Sequence, residues 1–221
     1  MATTMRSDEL NIVNTEQVVE KRNILPIDQF FDEMYLTDSE KEERKDLAKA
    51  LFIIFSAILT IIKANELLGN EHDMAYYKEY VSGNMKSLYR ATFGSDKYVS
   101  QLDDFANDFI DVTMRNISSS TTPDAYFTSD DRAIVNAENQ ANIVYNQNQY
   151  EEAIHVGKTM KKWVTMHDKR VRKTHEEADG QTVAIDKPFE VGGYEMMFCC
   201  DKSRGAHSKE VINCRCTCVY Y

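Results

Sequence analysis

KKWVTMHDKRVRKTHEEADG, residues 161–180, decides how far the helices of this chain extend. Ala153, Val156, Met160, Val164, His167, Val171, Thr174 and Ala178 recur at a spacing of three to four, the period of an amphipathic helix. The stretch is therefore expected to be helical as far as Ala178, with Asp179-Gly180 as its stop. On such a helix Asp168 and Arg172 stand four apart with the acid first, the favourable order for an ion pair. His175 follows beside Arg172, so Asp168, Arg172 and His175 would form a polar seam along the stripe. His167 falls on the stripe itself and reads as a hydrogen-bonded core residue.

After Gly180 the period changes. QTVAID, YEMMFCC and EVINCRCTCVYY are short, β-branched or aromatic segments separated by Pro188, Gly192-Gly193 and DKSRGAHSKE. They are expected to be strands of a small, mainly antiparallel sheet. Upstream the pattern is helical. LTDSEKEERKDLAKALFIIFSAILTIIKANELLG reads as one long helix, with Asp38 or Ser39 as N-cap and Gly69 as stop. Residues 72–94, 99–117 and 131–149 carry the same three-to-four spacing. SSSTTPDAYFTSDD gathers turn-forming residues and reads as a linker. Helices come first and strands last, an α+β class: a helical N-terminal half followed by a small α+β domain. The expected division is a polar arm over 1–25, a helical region over 26–117, a linker over 118–130 and the α+β domain over 131–221.

The 221 residues, 43% hydrophobic and 10% aromatic, suffice for a packed core and exclude a disordered chain. Net charge is −10, unevenly spread: from His155 onward 12 basic face 9 acidic residues, while the preceding part holds 14 basic and 27 acidic. Such an acidic front is a poor surface for duplex nucleic acid, which needs its phosphates neutralised; the asymmetry suits a complementary protein partner. Residues 1–14 lack the basic start and apolar core of a secretory signal, so the five cysteines are expected in a reducing compartment. The apolar run Ala50–Ile62, flanked by Lys49 and Lys63, is shorter than the roughly 20 residues a spanning helix needs. It reads as a buried helix, although a helix apolar on all sides could instead dock against another protein.

The ionisable residues admit two chemistries. A histidine with a nearby arginine would suit a metal-independent ribonuclease, but no second general acid stands at a recognisable spacing, so no catalytic residue is assigned. Cys214, Cys216 and Cys218 alternate and would share one face of a strand. With Cys199, Cys200 and His207 they could bind zinc. However, Cys-x-Cys lacks the two-residue gap of a zinc knuckle, so small buried apolar packing is the expected role and no metal or cofactor is assigned.

Taken in order, Trp163, Asp168, Arg170, Val171, Arg172 and His175, then Gly180, then Pro188-Phe189, then Glu210, Ile212, Asn213, Cys214, Arg215 and Cys216 form a pattern. It resembles the phage Mu F-like head morphogenesis domain over roughly residues 130–221. The resemblance implies a minor head protein located inside the virion head, and in the host cytoplasm during assembly. It further implies partnership with the portal and other head proteins, with contact to packaged DNA, a role in genome packaging or delivery, and no enzymatic activity. Many relatives carry an Arg-Thr-Glu trio on the upstream helix; here Asn136, Ala137 and Glu138 stand in its place. The retained Glu138 becomes a candidate partner for Arg172 or Arg215. Losing the basic residue and the hydroxyl weakens a nuclease reading drawn from the domain's likeness to ribonuclease toxins. The structural motif expected to lock the domain is thus Glu138, Trp163, Asp168, Arg170, Arg172, His175, Gly180, Phe189, Asn213, Cys214, Arg215 and Cys216.

Overall fold

The computed structural model describes residues 25–94, 99–118 and 125–221. Nearly all of the expected arm, and the 119–124 part of the expected linker, lie outside the described residues. In chain order the helices are α1 (Leu25–Asp32), α2 (Asp38–Leu68), α3 (Met74–Phe93), α4 (Val99–Ser118) and, after a 3-10 turn at Ala125–Thr128, α5 (Asp130–His155). Strand β1 (Met160–Val164), helix α6 (Lys173–Ala178), strands β2 (Thr182–Ala184), β3 (Phe189–Val191) and β4 (Tyr194–Met196), helix α7 (Ser208–Val211) and strand β5 (Thr217–Tyr220) complete the chain. The class is α+β.

Helix α2 organises the first core. Its N-cap is Thr37, one residue before the expected Asp38. The Thr37 hydroxyl accepts from the Glu40 N–H while the Glu40 carboxylate accepts from the Thr37 N–H, a capping box. It ends at Gly69, left-handed at φ 66° as a C-terminal stop requires. Leu51, Phe52, Phe55, Ile58, Leu59 and Ile62 are all buried, and α2 lies mainly along α5. Phe55 meets Phe105 and Phe109 of α4 at ring-centroid distances of 5.5 and 5.1 Å, within the range of favourable aromatic pairs. By length and composition α2 could cross a membrane, and half of its most apolar window is buried within the fold.

Helix α5 belongs to both halves of the molecule. Ala133, Ala137, Ala141 and Val144 join the α2 core, and these small side chains let the helix axes approach closely. Ile143 packs against a second core formed by Trp163, Phe189, Val191, Met196 and the cysteines. The expectation that a helix runs through residues 161–178 is corrected here. Helix α5 stops at His155, and Gly157 takes φ 79°, a left-handed geometry open to glycine but costly elsewhere. Beyond it Lys161 and Trp163 are buried while Lys162 between them is exposed. That period of two marks a strand, which a stripe drawn at three to four concealed. Strand β1 then sits at the centre of an antiparallel sheet of order β2-β1-β5, with Trp163 opposite Cys218 and Lys161 opposite both Val183 and Tyr220. Strands β3 and β4 form a separate antiparallel hairpin.

Because Phe55 is fully buried at the meeting of α2 and α4, Phe55→Ala is expected to destabilise the chain by roughly 3–5 kcal/mol. Urea unfolding followed by circular dichroism measures this; a midpoint unchanged from wild type would contradict the packing described.

Candidate functional site

The motif residues gather where α6, the segment before β5 and the C-terminal part of α5 meet. His175, carried on α6, is buried at 1% exposure. Its Nδ1 lies 3.4 Å from Cys216 Sγ and 3.6 Å from Cys214 Sγ. Its Nε2 lies 3.3 Å from the Glu210 carboxylate, at ion-pair distance but outside hydrogen-bond alignment. The ring meets Trp163 edge-on at 5.7 Å, and Trp163 meets Phe189 edge-on at 5.4 Å. Glu210 is held from its other side by the Thr174 hydroxyl, which donates at 2.7 Å. Gly192 closes over it: a Cβ there would stand 2.9 Å from the Glu210 carboxyl, and φ is +59°.

A second cluster surrounds Asp168. Arg215 Nη2 donates to its carboxylate at 2.8 Å and the Arg170 N–H donates at 2.9 Å. Burial raises the Asp168 pKa, but the Arg215 and Arg170 hydrogen bonds and charges outweigh it and hold the carboxyl below its ordinary range. Both arginines also reach Glu33, just past the end of α1: Arg170 Nη2 bonds its Oε2, and Arg215 Nη1 lies 3.5 Å away. This ties the C-terminal module to the helical half.

A third set was missed by the sequence reading. Asn139, Asn142, Asn146 and Gln149 lie along one face of α5 and bond outward in two directions. Asn142 Nδ2 donates to Cys214 O at 2.9 Å and Asn146 Nδ2 to Cys199 O at 3.1 Å. Their oxygens accept from the fully buried Arg44 of α2 at 3.4 and 3.2 Å, and Gln149 accepts from the same guanidinium at 3.1 Å. Asn139 and Asn213 exchange two bonds, the Asn213 N–H at 2.6 Å and the Asn139 amide at 3.2 Å. Burial lowers the Arg44 pKa to about 10, against the raising pull of Glu40, which leaves it charged at neutral pH. Four amides at helical spacing on one helix, in residue types that resist helix interiors, were the available signal.

The expected polar seam does not exist as one unit. Without a helix through residue 168 there is no four-residue register between Asp168 and Arg172. Asp168 turns to Arg215, Arg172 bonds Ile212 O, and His175 turns inward to the cysteines. His167 is likewise not a core residue: its side chain is 57% exposed and its φ is 51°. Glu138 meets neither Arg172 nor Arg215. It is 6% exposed, and its Oε1 has no hydrogen-bond partner; burial pushes its pKa up to about 8. The three alternating cysteines divide, because β5 begins only at Thr217: Cys214 and Cys216 meet His175, while Cys218 lies 3.2 Å from Cys199. Cys199 and Cys200 sit in a turn after β4, not in a strand. Gly180 and Phe189 both contact Trp163. The Gly180 N–H donates to Trp163 O at 2.9 Å with φ 75°, and Phe189 covers Trp163.

A thiol, an imidazole and a carboxylate in line also describe a nucleophile with its base and orienting acid. Here Cys216, His175 and Glu210 are 3%, 1% and 2% exposed. The cavity beside them is about 10 Å³, room for one water or ion and no organic substrate.

This α+β module of buried locks is a phage head morphogenesis domain: residues 111–219 match the family described as Phage Mu protein F like protein. That half of the chain is a Mu F-like domain. A 77-residue stretch, 34% of this chain, is also 39% identical to the NAD(+)--arginine ADP-ribosyltransferase EFV of Enterococcus faecalis (strain ATCC 700802 / V583). The stretch spans 15% of that protein's length. No solved structure matches the chain.

Two outcomes follow from this geometry. Gly192→Ala combines a left-handed backbone with a clash against the Glu210 carboxyl, an expected loss of about 2–4 kcal/mol readable in the thermal unfolding midpoint. Glu138, its pKa raised in the fold, stabilises fully below the unfolded carboxylate pKa and loses that contribution as pH rises toward 8. Glu138→Gln should therefore flatten the fall in stability between pH 5 and 8 by on the order of 3 kcal/mol. Parallel pH profiles for the two proteins would refute the uncharged, buried carboxyl.

Proposed function

We propose that this chain is a non-enzymatic phage minor head protein, a head-associated component whose helical half docks on the portal and whose Mu F-like domain is a self-locked module. The observation that carries the reading is the Mu F-like match over residues 111–219. The burial of part of the motif supports it: Trp163, His175, Cys214, Arg215 and Cys216 all lie within the fold. Docking through the helices is supported by the acidic balance of the front half and by Leu67 and Leu68, 78% and 74% exposed at the end of α2. Contact with packaged DNA falls to the part from His155 onward, where basic residues outnumber acidic ones. A part in genome packaging or delivery follows from that position.

The likeness to the ADP-ribosyltransferase brings no transferase activity into this reading, since the shared stretch is 15% of that protein. A ribonuclease reading centred on His175 is disfavoured by its burial against Cys214, Cys216 and Glu210; His167 is exposed and lies 3.7 Å from the Asp179 carboxylate. The membrane-active alternative requires α2 to leave the bundle, at the cost of exposing the Phe52, Phe55 and Ile58 core.

The test is co-expression with the portal protein followed by affinity capture and density sedimentation with procapsids. The chain is expected to co-sediment with both, and Leu67→Glu with Leu68→Glu should weaken that association while leaving the fold intact. A monomer that stays at the top of the gradient in the presence of portal and procapsids would overturn the proposal.

A further inference from the structure

His175, Cys214 and Cys216 place one nitrogen and two sulfurs within 4.8 Å of one another, all three buried. A tetrahedral zinc ion with Zn–S near 2.3 Å and Zn–N near 2.0–2.1 Å sets nitrogen and sulfur about 3.5 Å apart along each edge. The two N···S distances here are 3.4 and 3.6 Å. Cys-x-Cys alone is too short for a zinc knuckle, but the third donor arrives from α6, far away in sequence, so the knuckle spacing is not required. The adjoining cavity has room for one ion. Behind the imidazole, Glu210 faces Nε2 at 3.3 Å, the carboxylate–histidine arrangement that orients a ligating ring. Thr174 and Gly192 hold that carboxylate in turn.

We propose that His175 Nδ1, Cys214 Sγ and Cys216 Sγ bind a zinc-class divalent cation, with Glu210 as the outer partner of the imidazole and water at the fourth vertex. The two thiols give up their protons to solvent as thiolates form on the metal. A hydrogen-bonded thiol pair beside a neutral histidine would explain the same contacts, but it leaves the convergence of three soft donors on a one-ion cavity without a purpose. Bound metal would staple α6 to the segment before β5, the only covalent-strength link within a module whose sheet strands are three to five residues long. Cys199 and Cys218, 3.2 Å apart on the other side of the core, take no part.

The full chain, purified under reducing conditions, would be titrated with Co²⁺ and then with Zn²⁺. The expected result is a thiolate-to-cobalt charge-transfer band with tetrahedral d–d absorption, saturating at one metal per chain and bleached by zinc. Zinc should raise Tm by roughly 5–10 °C at a free concentration about 100 times Kd. Cys214→Ser and Cys216→Ser should abolish the cobalt band, Cys218→Ser should keep it, and Glu210→Gln should weaken zinc binding about 10- to 100-fold. Absence of a cobalt spectrum in the wild-type chain overturns the proposal whatever the variants do. So does a spectrum that survives loss of Cys214 and Cys216 together.

Discussion

The buried guanidinium of Arg44 sets the terms for the rest of the structure. It leaves α2 fully excluded from solvent and is satisfied by Asn142, Asn146 and Gln149, side chains of α5. A cation in that position is tolerable only when its donors are met, because an unpaired buried charge costs several kcal/mol. The amides that meet it use their other ends to hold Cys214 O and Cys199 O. One charge in the helical core thus dictates the register of α5 against α2, and that register dictates where the chain segments around the cysteines can lie. Arg44 Nη1 also donates to Glu40 O, and the more completely such a buried network is satisfied, the more strongly it specifies a single arrangement.

The two hydrophobic cores are consequently coupled while remaining distinct in character. The first is built from large apolar side chains of α2, α3 and α4 against small ones of α5. The second is smaller and relies on Trp163, Phe189, Met196 and sulfur, under strands too short to be stable on their own. Polar locks make up the difference: Arg172 to Ile212 O, Asn139 with Asn213, and Arg215 between Asp168 and Glu33. Each fixes a loop that carries no regular hydrogen-bond ladder of its own.

Much of the helical half was legible because its signals are local. The N-cap, read at Asp38 or Ser39 and found at Thr37, the left-handed stop at Gly69 and an apolar run wide enough to be buried all act within a few residues. The C-terminal half resisted because Lys161–Gly180 satisfies a helical stripe by spacing while Gly157 interrupts the helix before it begins. With the strand assigned as helix, Asp168, Arg172 and His175 were placed on one seam, whereas their partners are Arg215, Ile212 and Cys216. Those contacts span 40 or more residues and carry no local signature. The family pattern named these residues, but it carried no information on the partners they meet. Glu138 shows the same limit, since its proposed arginine partners point elsewhere and the carboxyl is buried alone.

Burial limits what His175 and Arg215 can reach, whatever their chemistry. A histidine beside two thiols and a carboxylate could act as a base, and an arginine beside an aspartate could steady a phosphate. Catalysis by either needs a substrate within hydrogen-bond reach. Arg215, at 8% exposure, already spends its guanidinium on Asp168 and Glu33, and the histidine borders a cavity that admits a single small species. Each lock that opens leaves a buried charge or amide unpaired, at a cost of several kcal/mol.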